Sequence, residues 1–134
     1  MEKIKTIGDA FMATAGMLIP NSNPLASATR CGLDMIMAAG EVTRDWQVRV
    51  GVNCGPMISG VLGRRRYQFD AWGSAINVAA RMTALASPGT VAMTRDASLH
   101  LGSAFVTRPL GRKEVKGLGF MELFECYGIA VQQC

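Results

Sequence analysis

The sequence predicts an α+β fold in which helices cover one face of a mainly antiparallel sheet, in the order ββαβ(β)αβαββ. Three observations carry that reading. Polar and apolar residues alternate at Lys3-Ile4-Lys5-Thr6-Ile7 and again from Gln47 to Val52, the period of a half-buried strand. Apolar residues recur at helical spacing from Leu25 to Gly40 and from Ile76 to Leu85. The chain has 134 residues, 49% hydrophobic and 18% charged, enough for one core and too apolar for disorder.

The elements follow in order. Gly8-Asp9 is a turn signal between Lys3–Ile7 and a second extended stretch, Phe11 to Met17, so the chain opens with a β-hairpin tipped by Asp9. Asn23-Pro24 supplies an N-cap and a first-turn proline for an amphipathic helix through about Glu41. Val48, Val50 and Val52 then bury one face of a strand and leave Arg49 on the other. Gly55, Pro56, Gly60 and Gly63 break residues 54–63 into short extended pieces. A helix is predicted from Trp72 to about Leu85, stopped by Ser87-Pro88-Gly89. Thr90 to Thr94 reads as a short buried strand and Asp96 to Leu101 as a short helix. Phe105–Leu110 and Phe120–Ile129 form a terminal hairpin around a turn spanning Gly111 to Gly119.

Composition excludes several classes. Fourteen Lys and Arg against ten Asp and Glu leave +4, an excess that suits an anionic ligand better than a coat for nucleic acid. The run Arg64-Arg65-Arg66 is better explained by a solvated loop and is weak evidence for a polyanion partner. Cys31, Cys54, Cys126 and Cys134 are scattered, and His100 has no Cys or His beside it, so neither a zinc site nor a disulfide framework is indicated. A reducing, cytoplasmic compartment follows. No apolar run approaches the roughly 18 residues of a membrane span, and Met1 to Lys5 lacks the apolar core of a signal peptide.

Three features carry chemistry. Asp9 sits at a hairpin tip, where it either stabilises the turn or meets a divalent cation. Asn77 and Arg81 are four apart on a helix, hence on one face among small residues, where a guanidinium pairs with an anion, a carboxylate or water. Lys116, in Val115-Lys116-Gly117-Leu118-Gly119, has little bulk beside it and is either solvated or within reach of a phosphate.

Together these segments resemble the catalytic domain of class III nucleotidyl cyclases, the adenylyl and guanylyl cyclases. The likeness runs from Lys3 to about Tyr127. It rests on Lys3 to Asp9 with Met12-Ala13, Arg49-Val50-Gly51-Val52, Gly60-Val61-Leu62-Gly63, Phe69 to Gly73, Asn77 to Met82, and Val115-Lys116-Gly117.

The resemblance implies a ferredoxin-like cyclase fold, dimerised head to tail as a homodimer or with a paired cyclase domain so that two chains build each active site. It implies two divalent cations, Mg2+ or Mn2+, that activate the ribose 3′-hydroxyl for displacement of pyrophosphate from the α-phosphorus. By the same resemblance, Asp9 is a metal ligand, Arg49 and Lys116 reach the distal phosphates, Asn77 orients the ribose, and Arg81 stabilises charge on the α-phosphoryl group. Lys5 and Asp70 occupy the base-reading positions. Lysine donates to adenine N1 and aspartate accepts from its amino group, whereas guanine opposes both; guanylyl cyclases typically carry Glu and Cys there. ATP is the expected substrate. The family's other metal aspartate lies upstream of the Lys5 motif, so residues 1–134 are expected to be a partial domain lacking the N-terminal strand and helices, with weak activity alone. Any membrane tether would lie in segments outside this chain.

Overall fold

A computed structural model describes residues 1–131, so Cys134 lies outside the described residues. The hairpin of β1 (Glu2–Ile7) and β2 (Ala10–Thr14) pairs antiparallel, with Ile7 opposite Ala10. Gly8 takes φ +59° at the first central position of the two-residue turn, as a type II′ hairpin requires, and Asp9 follows it at the tip. Here β2 stops at Thr14 rather than near Met17. The next residues fold back, and the Glu2 carboxylate accepts from the Ile19 amide (2.9 Å) and the Thr14 hydroxyl (3.0 Å).

Helix α1 (Pro24–Val42) begins as its sequence dictates, with the Asn23 side chain accepting from the Ala26 amide and Pro24 in the first turn. It leads to β3, whose paired part is only Val50–Gly51. A separate ribbon joins β4 (Ile58–Leu62) to β5 (Gln68–Trp72), and α2 (Ser74–Leu85) follows. Trp72, predicted to open that helix, is instead the last residue of β5. The chain continues through β6 (Val91–Thr94), α3 (Arg95–Leu101), β7 (Phe105–Val115) and β8 (Gly119–Ile129). The β7–β8 turn is shorter than predicted. Gly111, at φ +103°, sits beside a register shift after Pro109, so the ladder absorbs it and runs on to Val115.

The strands form a four-stranded sheet in the order β3-β6-β8-β7, with β3–β6 parallel and the other pairs antiparallel, beside two separate ribbons, β1-β2 and β4-β5. The prediction that helices cover one face is corrected. Val91 and Met93 of β6 pack with Leu25 and Leu33 of α1, Ala97 and Leu101 of α3, and Cys126. Ala92, between them, packs with Met82 and Ala86 of α2, Val115 and Leu123. Successive strand residues point to opposite faces, so α1 and α3 cover one face and α2 the other. All four residues of β6 are therefore buried. Full burial of a side chain such as Met82 or Leu123 stabilises the fold by about 1.5–3 kcal/mol.

Cys126 is buried, and desolvation pushes its thiol above the ordinary range. Cys31 and Cys54 are also free. Among the described residues, no helix is long and apolar enough to cross a membrane.

Candidate active site

Two predicted residues, 65 positions apart, meet directly. Lys5 lies on β1 where the register shifts between Lys3 and Lys5. Its Nζ donates to Oδ2 of Asp70, on β5, at 3.0 Å, tying the first hairpin to the β4-β5 ribbon. The other carboxylate oxygen, Oδ1, accepts from the Ala71 amide at 2.7 Å. That amide bond, then the Lys5 ammonium, holds the Asp70 carboxyl below the usual carboxylate range. Asp70 is thus a charged acceptor at neutral pH. Its side chain is 13% exposed and that of Lys5 30%, so the pair is sheltered yet reachable.

The other predicted residues are exposed and lie on separate elements. Asp9 is at the β1-β2 tip, and Arg49 immediately precedes β3. Asn77 and Arg81 project from the outer face of α2, opposite Ala75, Ala79 and Met82, because residues two apart on a helix point nearly opposite ways. Lys116 occupies the three-residue turn between β7 and β8, closed by the Leu118 amide bonded to the Val115 carbonyl at 2.9 Å.

Among the described residues, no group of three or more His, Cys, Asp or Glu is placed to hold a metal ion. Asp9 therefore makes no resident cage. A lone exposed carboxylate fits a cation that arrives on a polyphosphate, since Mg2+ keeps several waters and is commonly held by one or two carboxylates plus substrate oxygens.

The structure thus brings Lys5 and Asp70 together as a sheltered amine–carboxylate pair and leaves Arg49, Asn77, Arg81 and Lys116 exposed on other elements. The family of the adenylate and guanylate cyclase catalytic domain matches residues 1–129. An adenylate cyclase of Mycobacterium tuberculosis is 34% identical over 96% of this chain and 30% of that protein. A receptor-type guanylate cyclase of Caenorhabditis elegans is 30% identical over 91% of this chain and 12% of its own length. The guanylate cyclase domain of RhGC from Catenaria anguillulae, solved in complex with GTP, superposes with a TM-score of 0.84 at 28% identity, covering 96% of this chain and 73% of that one.

The chain belongs to the adenylate and guanylate cyclase catalytic domain family, whose chemistry is that of a phosphorus–oxygen lyase forming cyclic nucleotides. Adenylate and guanylate cyclases both occur among its relatives. It spans about 30% of the length of the adenylate cyclase it matches.

Proposed function

We propose that residues 1–134 form one domain, covering part of the cyclase catalytic fold, that converts ATP to 3′,5′-cyclic AMP and pyrophosphate between two chains. The observation that carries the choice of base is the Lys5–Asp70 pair. Adenine offers an acceptor at N1 beside a donor amino group, the complement of an ammonium beside a carboxylate. Guanine would set its N1 proton against Lys5 and its carbonyl oxygen against Asp70. With Oδ1 already taken by Ala71, the side chain presents Oδ2 in a fixed direction.

In this reading Asn77 orients the ribose, while Arg49 and Lys116, the latter from the second chain, hold the distal phosphates. The 3′-hydroxyl gives up its proton to solvent and its oxygen attacks the α-phosphorus; the new bond closes the ring, and the bond to the oxygen bridging to the β-phosphate breaks to release pyrophosphate. Arg81 stabilises the charge that grows on the α-phosphoryl oxygens. The two divalent cations, Mg2+ or Mn2+, would supply activation of the 3′-hydroxyl and screening of the phosphates, with Asp9 as one ligand.

The β4-β5 ribbon supports a paired assembly. Among the described residues it pairs with no other strand, and Ile58, Val61 and Leu62 are each more than half exposed. A lone two-stranded ribbon is marginal in water, so this apolar surface fits burial against a second cyclase domain.

The solitary carboxylate at Asp9 favours a second reading: a nucleotide-binding and dimerisation module that pairs with a complete domain and makes no product itself. One assay separates them. Cyclic AMP formed from ATP well above cyclic GMP formed from GTP, with Mg2+ or Mn2+, supports the first; GTP preference overturns the base assignment. Nucleotide binding without product, restored by mixing with a complete cyclase domain, supports the second.

A further inference from the structure

The extended segment 51–55 runs along α2, with every second residue turned toward it. A side chain at Gly51 would overlap the Ala79 carbonyl and Thr83 amide of the helix backbone. Two residues on, Asn53 donates its side-chain amide to the Ala75 carbonyl at 3.3 Å. Two further, a Cβ at Gly55 would come within 2.9 Å of the Ala75 Cβ. Between them Val52 points the other way, buried in the core with α1 and α3. The helix is therefore laid antiparallel on Gly51, Asn53 and Gly55, its backbone closing on Gly51 and the Ala75 side chain on Gly55.

We propose that Gly51, Asn53 and Gly55 are positioning residues: they seat α2 and thereby set the height and rotation of Asn77 and Arg81. This rests on the cyclase reading for the roles of Asn77 and Arg81, but the seat itself is geometric. The face of α2 in contact carries Ala75, Ala79 and Thr83, and Asn77 and Arg81 stand on the opposite face. Any lift of the helix moves both outward together. The same segment begins two residues after Arg49, so Gly51 also fixes the spacing between Arg49 and Arg81.

A misplacement on the order of 1 Å in an oriented site costs about 10²-fold in rate. Gly51→Ala, which forces backbone apart, should lower kcat by about that factor while KM for ATP stays within about twofold. Asn53→Ala, which removes one hydrogen bond and adds no bulk, should lower kcat roughly tenfold and speed amide hydrogen exchange across Ser74–Leu85 by roughly fivefold. Gly40→Ala, on α1 in open space, is the control and should change neither. Unchanged exchange in α2 for both Gly51→Ala and Asn53→Ala, or a loss expressed in KM alone, overturns the seat. Exchange requires no turnover, so if the unsubstituted chain forms no cyclic nucleotide, the functional reading fails while the seat is still decided. If Gly51→Ala does not fold, Asn53→Ala carries the test.

Discussion

Among the described residues, two of the carboxylate–cation pairs have nearly the same length in different surroundings. On β8, Glu125 Oε1 accepts from Arg108 Nε at 2.8 Å, and Oε2 lies 3.1 Å from the Thr90 hydroxyl. Its side chain is 5% exposed, that of Arg108 is 53% exposed, and the guanidinium stacks on Tyr127 at 4.8 Å. Every oxygen is committed to protein. In the Lys5–Asp70 pair, at 3.0 Å, Lys5 keeps two further donors and 30% exposure. A closed network of this kind stabilises a fold; an open pair can also address a ligand. Carboxylates of equal charge are told apart by what remains free around them.

The largest test of that contrast exchanges the open pair. Lys5→Glu with Asp70→Cys removes the donor and the acceptor that the proposed reading sets against adenine, and sites built on such bonds discriminate by up to roughly 10⁴-fold. The ratio of kcat/KM for ATP to that for GTP should fall steeply in the double variant, with little change in thermal stability. An unaltered ratio would mean that the two residues do not read the base. Next in size is Arg81→Ala, expected to lower kcat by about 10²–10³-fold, about 3–4 kcal/mol, with KM for ATP little moved. A raised KM at constant kcat would assign Arg81 to ground-state binding instead.

The closed pair predicts the reverse pattern. Glu125→Ala should lower unfolding free energy by about 2 kcal/mol, because hydrogen bonds to a buried charge are lost while the half-exposed Arg108 regains water. Urea unfolding gives the stability. The ATP-to-GTP ratio should stay where it was. A change in that ratio larger than the change in stability would erase the distinction between the two pairs.

Part of this was legible in the residues themselves. Asp9, Arg81 and Lys116 stand out from the residues themselves, Lys5 and Asp70 are reached only through the cyclase resemblance, and the Asn23-Pro24 start of α1 follows from capping chemistry. The resemblance puts Lys5 and Asp70 at one base edge, but their direct ion pair was not legible. The pairing of Lys5 with Asp70 depends on β5, and Gln68 to Trp72 lacks clean alternation because Asp70 and Ala71 are both buried. Thr90 to Thr94 reads as a buried strand, but nothing local says that Val91 and Ala92 meet different helices. The extent of β7 was hidden by Gly111 and the charges after it, which read as turn while the edge strand continues through a bulge. Asn53 was missed altogether. The alternation Gly51-Asn53-Gly55 was the available signal, and its meaning depends on which helix lies against it.

The smallest effect concerns acid stability, where both pairs act in the same direction. For Asp70, the Ala71 amide and then Lys5 lower the folded pKa below the ordinary carboxylate value. For Glu125, burial alone would raise it, but hydrogen bonds from Arg108, Ser87 and Thr90 outweigh burial and leave it lowered. A folded pKa below the unfolded one means that the unfolded chain binds the proton first, so stabilisation is complete above the unfolded value and fades as pH falls through the folded one. The protein should therefore lose stability from about pH 4.5 downward, measured as Tm between neutral pH and about pH 2. Glu125→Gln should start lower and flatten this acid limb, since the group that would titrate is gone. Asp70→Asn should flatten it less, because Lys5 remains partly solvated and its pairing is screened. Equal flattening by both would show that the open pair supports the fold as strongly as the closed one, and the contrast between them would then rest on base choice alone.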